Sequence, residues 1–214
     1  MHTVKNAKNE ARGYFITFEG ADGCGKTTQI ELIKKYLDEK NIENILTREP
    51  GGSDLGIHLR KILLHYENPV SNVAETFLYL ADRAQHIEYK IKPALKEGKV
   101  VLCDRHTDST IAYQGYGRNQ SIDEIKHLNS IATQGLVPHL TIVFDVETEI
   151  AQKRLKGEKD RLEAEGIEFH KKLRKGYLDI AKNDPKRVKI IDANQSIEEV
   201  FTDTKKVIEE LLNG

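Results

Sequence analysis

The chain has only two cysteines among its 214 residues, Cys24 and Cys103, too few for a disulfide framework or a four-ligand zinc site built on thiolates. It lacks an excess of either charge: 33 Lys and Arg against 34 Asp and Glu give a formal net charge of −1. A nonspecific nucleic-acid binder usually carries a basic excess, so no nucleic-acid partner is expected. No apolar stretch approaches the ~18 residues of a membrane span, and no membrane partner is expected either. Residues 1–12 are polar and mildly basic, without the apolar centre of a signal peptide. They read as a flexible N-terminal extension, and the expected compartment is the cytoplasm, where thiols stay reduced.

The rest suits one domain, residues 13–214, with 38% hydrophobic residues to build a core. Apolar runs alternate with helical patterns. Tyr14–Phe18, Asn44–Arg48, Lys99–Cys103, Leu140–Phe144 and Arg187–Ile191 read as five strands. Helical periodicity runs from Lys26 to Lys40, from about Asp54 to Lys96 with a break near Asn68-Pro69 and closure at Gly98, and from Ile197 to Leu212. Ser196 with Glu199, and Ser121 with Glu124, have the spacing of capping boxes. Strands alternating with helices imply right-handed crossovers. The expected class is α/β, three layers, with a five-stranded mostly parallel sheet and helices on both faces.

Between the first strand and the first long helix lies Gly20-Ala21-Asp22-Gly23-Cys24-Gly25-Lys26-Thr27-Thr28. This is G-x-x-x-x-G-K-T in its required setting, strand before and helix after. The glycines let backbone amides turn inward around phosphate oxygens, and the helix N-terminus adds partial positive charge. Lys26 can reach β- and γ-phosphates, and the Thr27 hydroxyl can ligate Mg²⁺. By chance such a string arises in roughly one chain in a hundred of this length, and fewer in that setting. A phosphate loop needs a carboxylate at a neighbouring strand end. Asp104 and Asp145 both qualify, and either could instead cap a helix. Arg105 beside Asp104 pairs a metal-side carboxylate with a phosphate clamp, which favours Asp104.

A GTPase would need an Asn-Lys-x-Asp guanine motif and a transporter ATPase an LSGGQ signature, and the chain has neither. Small phosphate-loop proteins of this size often phosphorylate small molecules, which requires a second cationic pocket for the acceptor. Five ordered motifs then carry a specific resemblance: Phe18–Gln29, Arg48-Glu-Pro-Gly-Gly52, Leu80-Ala-Asp-Arg-Ala-Gln-His86, Asp104–Gly115 and the basic stretch with Asp160-Arg-Leu-Glu163, followed by Ile191-Asp-Ala-Asn194. From Tyr14 to Leu212 the chain resembles the bacterial thymidylate kinases.

That resemblance implies transfer of the γ-phosphoryl of ATP to dTMP with Mg²⁺, giving dTDP and ADP for dTTP supply. It implies a phosphate-loop kinase fold with a lid over about 153–166 and a homodimer in the cytoplasm. Arg105 would clamp the acceptor phosphate, with planar geometry suited to it. Arg83 would donate to the thymine O4. Tyr79, four residues earlier on the same helix face, stands where the family usually has Phe and would stack on the base. Tyr113 and Gln114 would lie against sugar and base, Ser109 and Thr110 near the base edge, Glu49 and Pro50 in a rigid turn beside the acceptor, and Asp22 at its 3′-hydroxyl. Ser109 and Thr110 equally suit a helix start. With Gly23 small, the chain resembles the arrangement that uses lid cations. Arg161, with Lys156 or Lys159, would stabilise the transferring phosphoryl, and Arg154 would lie along the adenine.

The remaining groups have ordinary readings. His58, His65, His127, His139 and His170 show no ligand spacing and are expected at the surface or its boundary. His106 is placed to shape the acceptor pocket. Cys24 is small, and an accessible thiol there would be open to modification. Lys171, Lys172, Arg174 and Lys175 read as a solvated helix face.

Overall fold

Strands buried on both faces read as continuous apolar runs, and all five here run parallel in the order β2-β3-β1-β4-β5. The computed structural model describes residues 13–155 and 160–213. The N-terminal stretch 1–12 and the expected lid residues Lys156 and Lys159 lie outside the described residues. The chain forms β1 (Phe15–Glu19), α1 (Lys26–Glu39), β2 (Asn44–Arg48), α2 (Asp54–His65), α3 (Asn72–His86), α4 (Lys92–Lys96), β3 (Val100–Asp104), α5 (Thr107–Thr110), α6 (Ile122–Thr133), β4 (Leu140–Asp145), α7 (Thr148–Arg154), α8 (Ile167–Asn183), β5 (Val188–Asp192) and α9 (Ile197–Asn213). Two π-helical turns, Ile87–Ile91 and Ile111–Gly117, continue α3 and α5.

The period-two alternation of the strands decides which helix each side chain meets. Ile16, Phe18, Leu102, Ile142 and Phe144 pack with Ile30, Ile33 and Leu37 of α1 and Val200 and Ile208 of α9. Phe15, Val101 and Cys103 face the other way, onto Ile87, Ile91 and Ala94. Val143 and Val188 join Leu173, Tyr177 and Ile180 of α8 on that side. Each such side chain contributes about 1.5–3 kcal/mol by leaving water.

β1, β3 and β5 each lie one residue further along than the apolar runs suggest, and β4 extends by one. The added residues are carboxylates: Glu19, Asp104, Asp192 and Asp145. Sheet pairing holds them in register, Phe18 with Asp104 and Asp145 with Asp192, where polarity alone suggests a loop. The long helical region resolves into α2 and α3, each capped by a serine: Ser53 accepts from Gly56 N and Ser71 from Ala74 N. Ser196 and Glu199 form the reciprocal box at α9, whereas at α6 only the Glu124 amide reaches Ser121.

His170 departs from expectation: it is buried, because on α8 it shares the inward stripe of Leu173 and Tyr177. The other four histidines of that group are exposed.

Candidate active site

The C-terminal ends of β1, β2 and β3 gather the functional residues at one sheet edge, beside the point where strand order reverses. The Arg105 amide donates to the Phe18 carbonyl at 2.9 Å, and the Glu49 amide to the Asp104 carbonyl at 2.9 Å. The phosphate loop leaves β1 here. Gly25 caps α1 in the left-handed region, with φ +87° and open space where a side chain would project. A Cβ on Gly23 would strike the Ala151 carbonyl of α7, so this loop position must stay small. A cavity of about 620 Å³ borders Ala21, Asp22, Gly23, Cys24, Gly25, Lys26, Thr27 and Thr28, with Arg154 on its rim. Arg154 donates to the Ala193 carbonyl at 3.2 Å. Cys24 is buried, and burial raises its thiol pKa, so the loop does not offer the accessible thiol considered from sequence.

Asp104 and Asp145 have different partners. Asp145 is held bidentately by Arg174 of α8, at 2.7 and 2.9 Å. Arg174 therefore has an inward task, in contrast to the solvated face expected for its segment. Asp104 faces the phosphate loop: Lys26 Nζ lies 2.6 Å from its Oδ1. Burial raises this carboxyl, but Lys26 and Arg105 outweigh burial and hold it below its ordinary value. Its buried Oδ1 accepts no aligned hydrogen bond and lies closest to the charge of Lys26. With the exposed Thr27 hydroxyl at the start of α1, this donor set fits a hard divalent cation.

A second cleft of about 520 Å³ opens beside the loop. Arg105 forms its floor with a left-handed backbone, φ +68°, uncommon for a non-glycine residue and typical of functional positions. Its Nη2 donates to Asp22 at 2.6 Å and its Nη1 to Ser109 and Tyr177 at 3.2 Å each. The Nε–H and one Nη2–H have no partner among the described residues. The Tyr113 ring lies under the guanidinium at 5.0 Å, and its hydroxyl donates to Asp22 at 2.9 Å. Burial pushes Asp22 up, but Arg105 and Lys26 prevail and hold it at about 2.

At the far end Arg83 is 1% exposed. It donates from Nε to Glu49 (2.8 Å), from Nη1 to Thr110 (2.8 Å) and Asn129 (2.6 Å), and from Nη2 to the His106 carbonyl (3.0 Å). One of its five N–H groups, on Nη2, is left over. Glu49 also binds Nδ1 of His86 and of His106, at 2.9 and 3.0 Å. Burial raises the Glu49 carboxyl, but His106 and Arg83 hold it well below its ordinary value. Tyr79 and Pro50 line this end, and no described residue hydrogen-bonds the Tyr79 hydroxyl. Gln114 lines the cleft while donating to Glu75 at 2.9 Å.

Three predicted residues border neither cavity: Gly20, Asp104 and Arg161. Gly20 opens the phosphate loop and Asp104 meets Lys26 beside it, whereas Arg161 pairs elsewhere. Its Nη1 lies 2.5 Å from Glu75 and its Nε donates to the Leu63 carbonyl. Glu75 is fully buried, and a buried carboxylate demands cations; Arg161 and Arg118 supply them. Asp160 closes its own turn by accepting from the amides of Leu162 and Glu163.

Sequence reasoning missed Arg60, which lines the cleft and donates to the Pro50 carbonyl at 2.9 Å. Its signal was spacing: Arg60 shares a face of α2 with the buried Gly56, Leu63 and Leu64. Glu19 and Tyr177, which surround Ser109, were also missed.

The family model of thymidylate kinase matches residues 18–204. A thymidylate kinase of Carboxydothermus hydrogenoformans is 49% identical over 205 residues, covering 95% of this chain and all of that protein. One from Nostoc sp. is 47% identical over 206 residues, covering 94% and 96%. The crystal structure of thymidylate kinase from Ehrlichia chaffeensis superposes with a TM-score of 0.76 at 36% identity, covering 92% of this chain and 99% of that one.

Proposed function

Because the chain belongs to the thymidylate kinase family, whose reaction moves the γ-phosphoryl of ATP to dTMP, we propose that its two cavities divide that reaction between them. The enzyme is a dTMP kinase, giving dTDP and ADP and supplying the path to dTTP. In this reading ATP phosphates rest on residues 20–28 with Arg154 beside them, and dTMP fills the cleft from Asp22 to Arg60. The observation that carries the assignment is Arg105: a half-buried guanidinium lining the second cleft, tied down on one side to Asp22, which borders both cavities, with two N–H donors open.

The acceptor phosphate is its own nucleophile, since a phosphate monoester loses its second proton near pH 6. No general base is needed, and catalysis is positioning and charge stabilisation. Arg105 holds the acceptor phosphate. Lys26 exchanges Asp104 for the ATP phosphates. Thr27 and Asp104 would hold Mg²⁺, which when bound neutralises charge on the ATP phosphates. Asp22 accepts the sugar 3′-hydroxyl, and Tyr113 lies where a ribose 2′-hydroxyl would crowd it. The free N–H of Arg83 suits the thymine O4 and disfavours the amino group of cytosine. Tyr79 stacks on the base, with Gln114, Ser109 and Thr110 lining its edge and Glu49 and Pro50 fixing Arg83 and Arg60. A lid over 153–166 closes to exclude water, with Lys156 or Lys159 supplying charge at the transferring phosphoryl and Arg154 lying along the adenine.

We assign the protein to the cytoplasm, in keeping with its two free cysteines. We further propose a homodimer. Exposed Ile57 on α2, Val73 and Phe77 on α3 and Ile131 on α6 sit on neighbouring helices and form the apolar face that a second copy would cover.

ADP release with MgATP and separate acceptors tests the reading. dTMP is expected to turn over strongly, dUMP less, and dCMP, dGMP, UMP and thymidine little. Preference for thymidine or for dCMP would overturn the acceptor assignments.

A further inference from the structure

Glu19 ends β1, and the reaction above gives it no task. By strand alternation it points with Phe15 and Thr17 to the α8 side, and it is wholly buried. Three donors converge on it: the His106 amide on Oε1 at 2.8 Å, and the Ser109 and Tyr177 hydroxyls on Oε2 at 2.5 and 3.1 Å. Both hydroxyls accept from Arg105 Nη1, and they lie 3.0 Å from each other. Glu19 does not touch Arg105. It reaches it across two bridges, each one hydroxyl long.

A hydroxyl has a single proton to give. When that proton goes to an ionised Glu19, the lone pairs of Ser109 and Tyr177 are left for Arg105. A side chain that donates at this point reverses a bridge and turns the hydroxyl proton toward the cationic guanidinium. The groups facing Glu19 are Cys103 from β3, Arg105 and His106 from the two residues between β3 and α5, Asp108 and Ser109 from α5, and Tyr177 from α8. Asp108 is itself held by Arg187 and hydrogen-bonds neither bridge hydroxyl.

We propose that Glu19 is a positioning residue of the phosphoryl-acceptor site: through Ser109 and Tyr177 it fixes the direction in which Arg105 presents its free Nε–H and Nη2–H to the dTMP phosphate. This rests on the acceptor role given to Arg105 above. Tyr177, more than 70 positions away in sequence, becomes part of the same device.

The experiment measures KM for dTMP and for ATP, with kcat, at about pH 8, where Glu19 is ionised, in the full chain carrying Glu19→Gln, Tyr177→Phe, both, or Arg105→Ala. Gln keeps the shape of Glu19 but brings an N–H₂ donor. Glu19→Gln is expected to raise KM for dTMP about tenfold, the scale of one lost charge-assisted hydrogen bond. Tyr177→Phe is expected to raise it about threefold, and the double variant no further than Glu19→Gln, because both act through one guanidinium. KM for ATP stays within about twofold throughout. Arg105→Ala is expected to raise KM for dTMP by about a hundredfold or more. A large Arg105→Ala effect with unchanged dTMP KM in Glu19→Gln overturns the positioning role and leaves Arg105 as the clamp. Equal rises in both KM values overturn it too, as general damage. Silence of Arg105→Ala overturns the acceptor reading and this inference with it. If Glu19→Gln does not fold, Tyr177→Phe decides: unchanged dTMP KM overturns the inference.

Discussion

Glu19→Gln is also expected to change how stability depends on pH, in the direction opposite to its effect on dTMP. Burial and then Asp108 push the Glu19 carboxyl from an ordinary 4.5 up to about 7. Between these values the folded chain holds a proton that the unfolded chain has released. Stability therefore falls as pH rises, and the loss is complete above the folded value. At about 1.4 kcal/mol per pH unit the interval corresponds to ~3 kcal/mol. Most of it, roughly 2–3 kcal/mol, falls between pH 5 and pH 8. Gln does not titrate, so the difference in stability between variant and wild type shifts by that amount toward the variant over this range. For a chain of this size the shift is roughly 5–10 °C in melting temperature. Scanning calorimetry of both proteins at half-unit pH steps, without nucleotide, reads it directly, because every other titrating group cancels in the difference. Curves that stay parallel within about 0.5 kcal/mol refute the reasoning. Gaining stability at pH 8 while losing affinity for dTMP is the mark of a residue kept for function at the expense of stability.

Three further outcomes follow from the geometry. Asp104→Asn removes the carboxylate facing Lys26, and is expected to lower kcat about a hundredfold or more and to raise the Mg²⁺ concentration for half-activity; an unchanged Mg²⁺ titration argues against it. Arg161→Ala leaves buried Glu75 with Arg118 as its one cation among the described residues, beside the Gln114 amide, and is expected to cost about 1–3 kcal/mol in urea denaturation while kcat falls less than tenfold. A thousandfold loss of kcat at unchanged stability would return Arg161 to the phosphates. Phe77→Glu places a charge in the apolar face of α3 and is expected to give a monomer by light scattering, with the wild type expected to scatter as a dimer; equal masses for the two proteins overturn the proposed interface.

The phosphate loop was fully legible because its chemistry is contiguous: strand, glycines, lysine and helix start follow within a dozen residues. The parallel sheet followed from alternation of elements, whereas strand order did not. Strand ends were less legible, since Glu19, Asp104, Asp145 and Asp192 look like loop residues until pairing with a neighbour is known. Partners of charged groups were the least legible. The basic stretch around Arg161 announces its charge but not the buried Glu75 that claims it. Asp104 and Asp145 follow strands in the same way, and only Arg174, far along the chain, separates their roles. Two misses were readable after all: Arg60 and His170 both lie on buried helical stripes, and periodicity outweighs polarity there.

The π-helical turn over Ile111–Gly117, closed by the Arg118 amide on the Tyr113 carbonyl, fits one more residue into its turn than an α-helix would. It carries Tyr113 and Gln114, and one residue of helix corresponds to about 100° of rotation. Loss of a single codon near its start would let the segment rewind as α-helix and swing both side chains away from the cleft, although no side chain of the site had been replaced. In this stretch length is a constraint in its own right: a deletion calls for a compensating insertion close by.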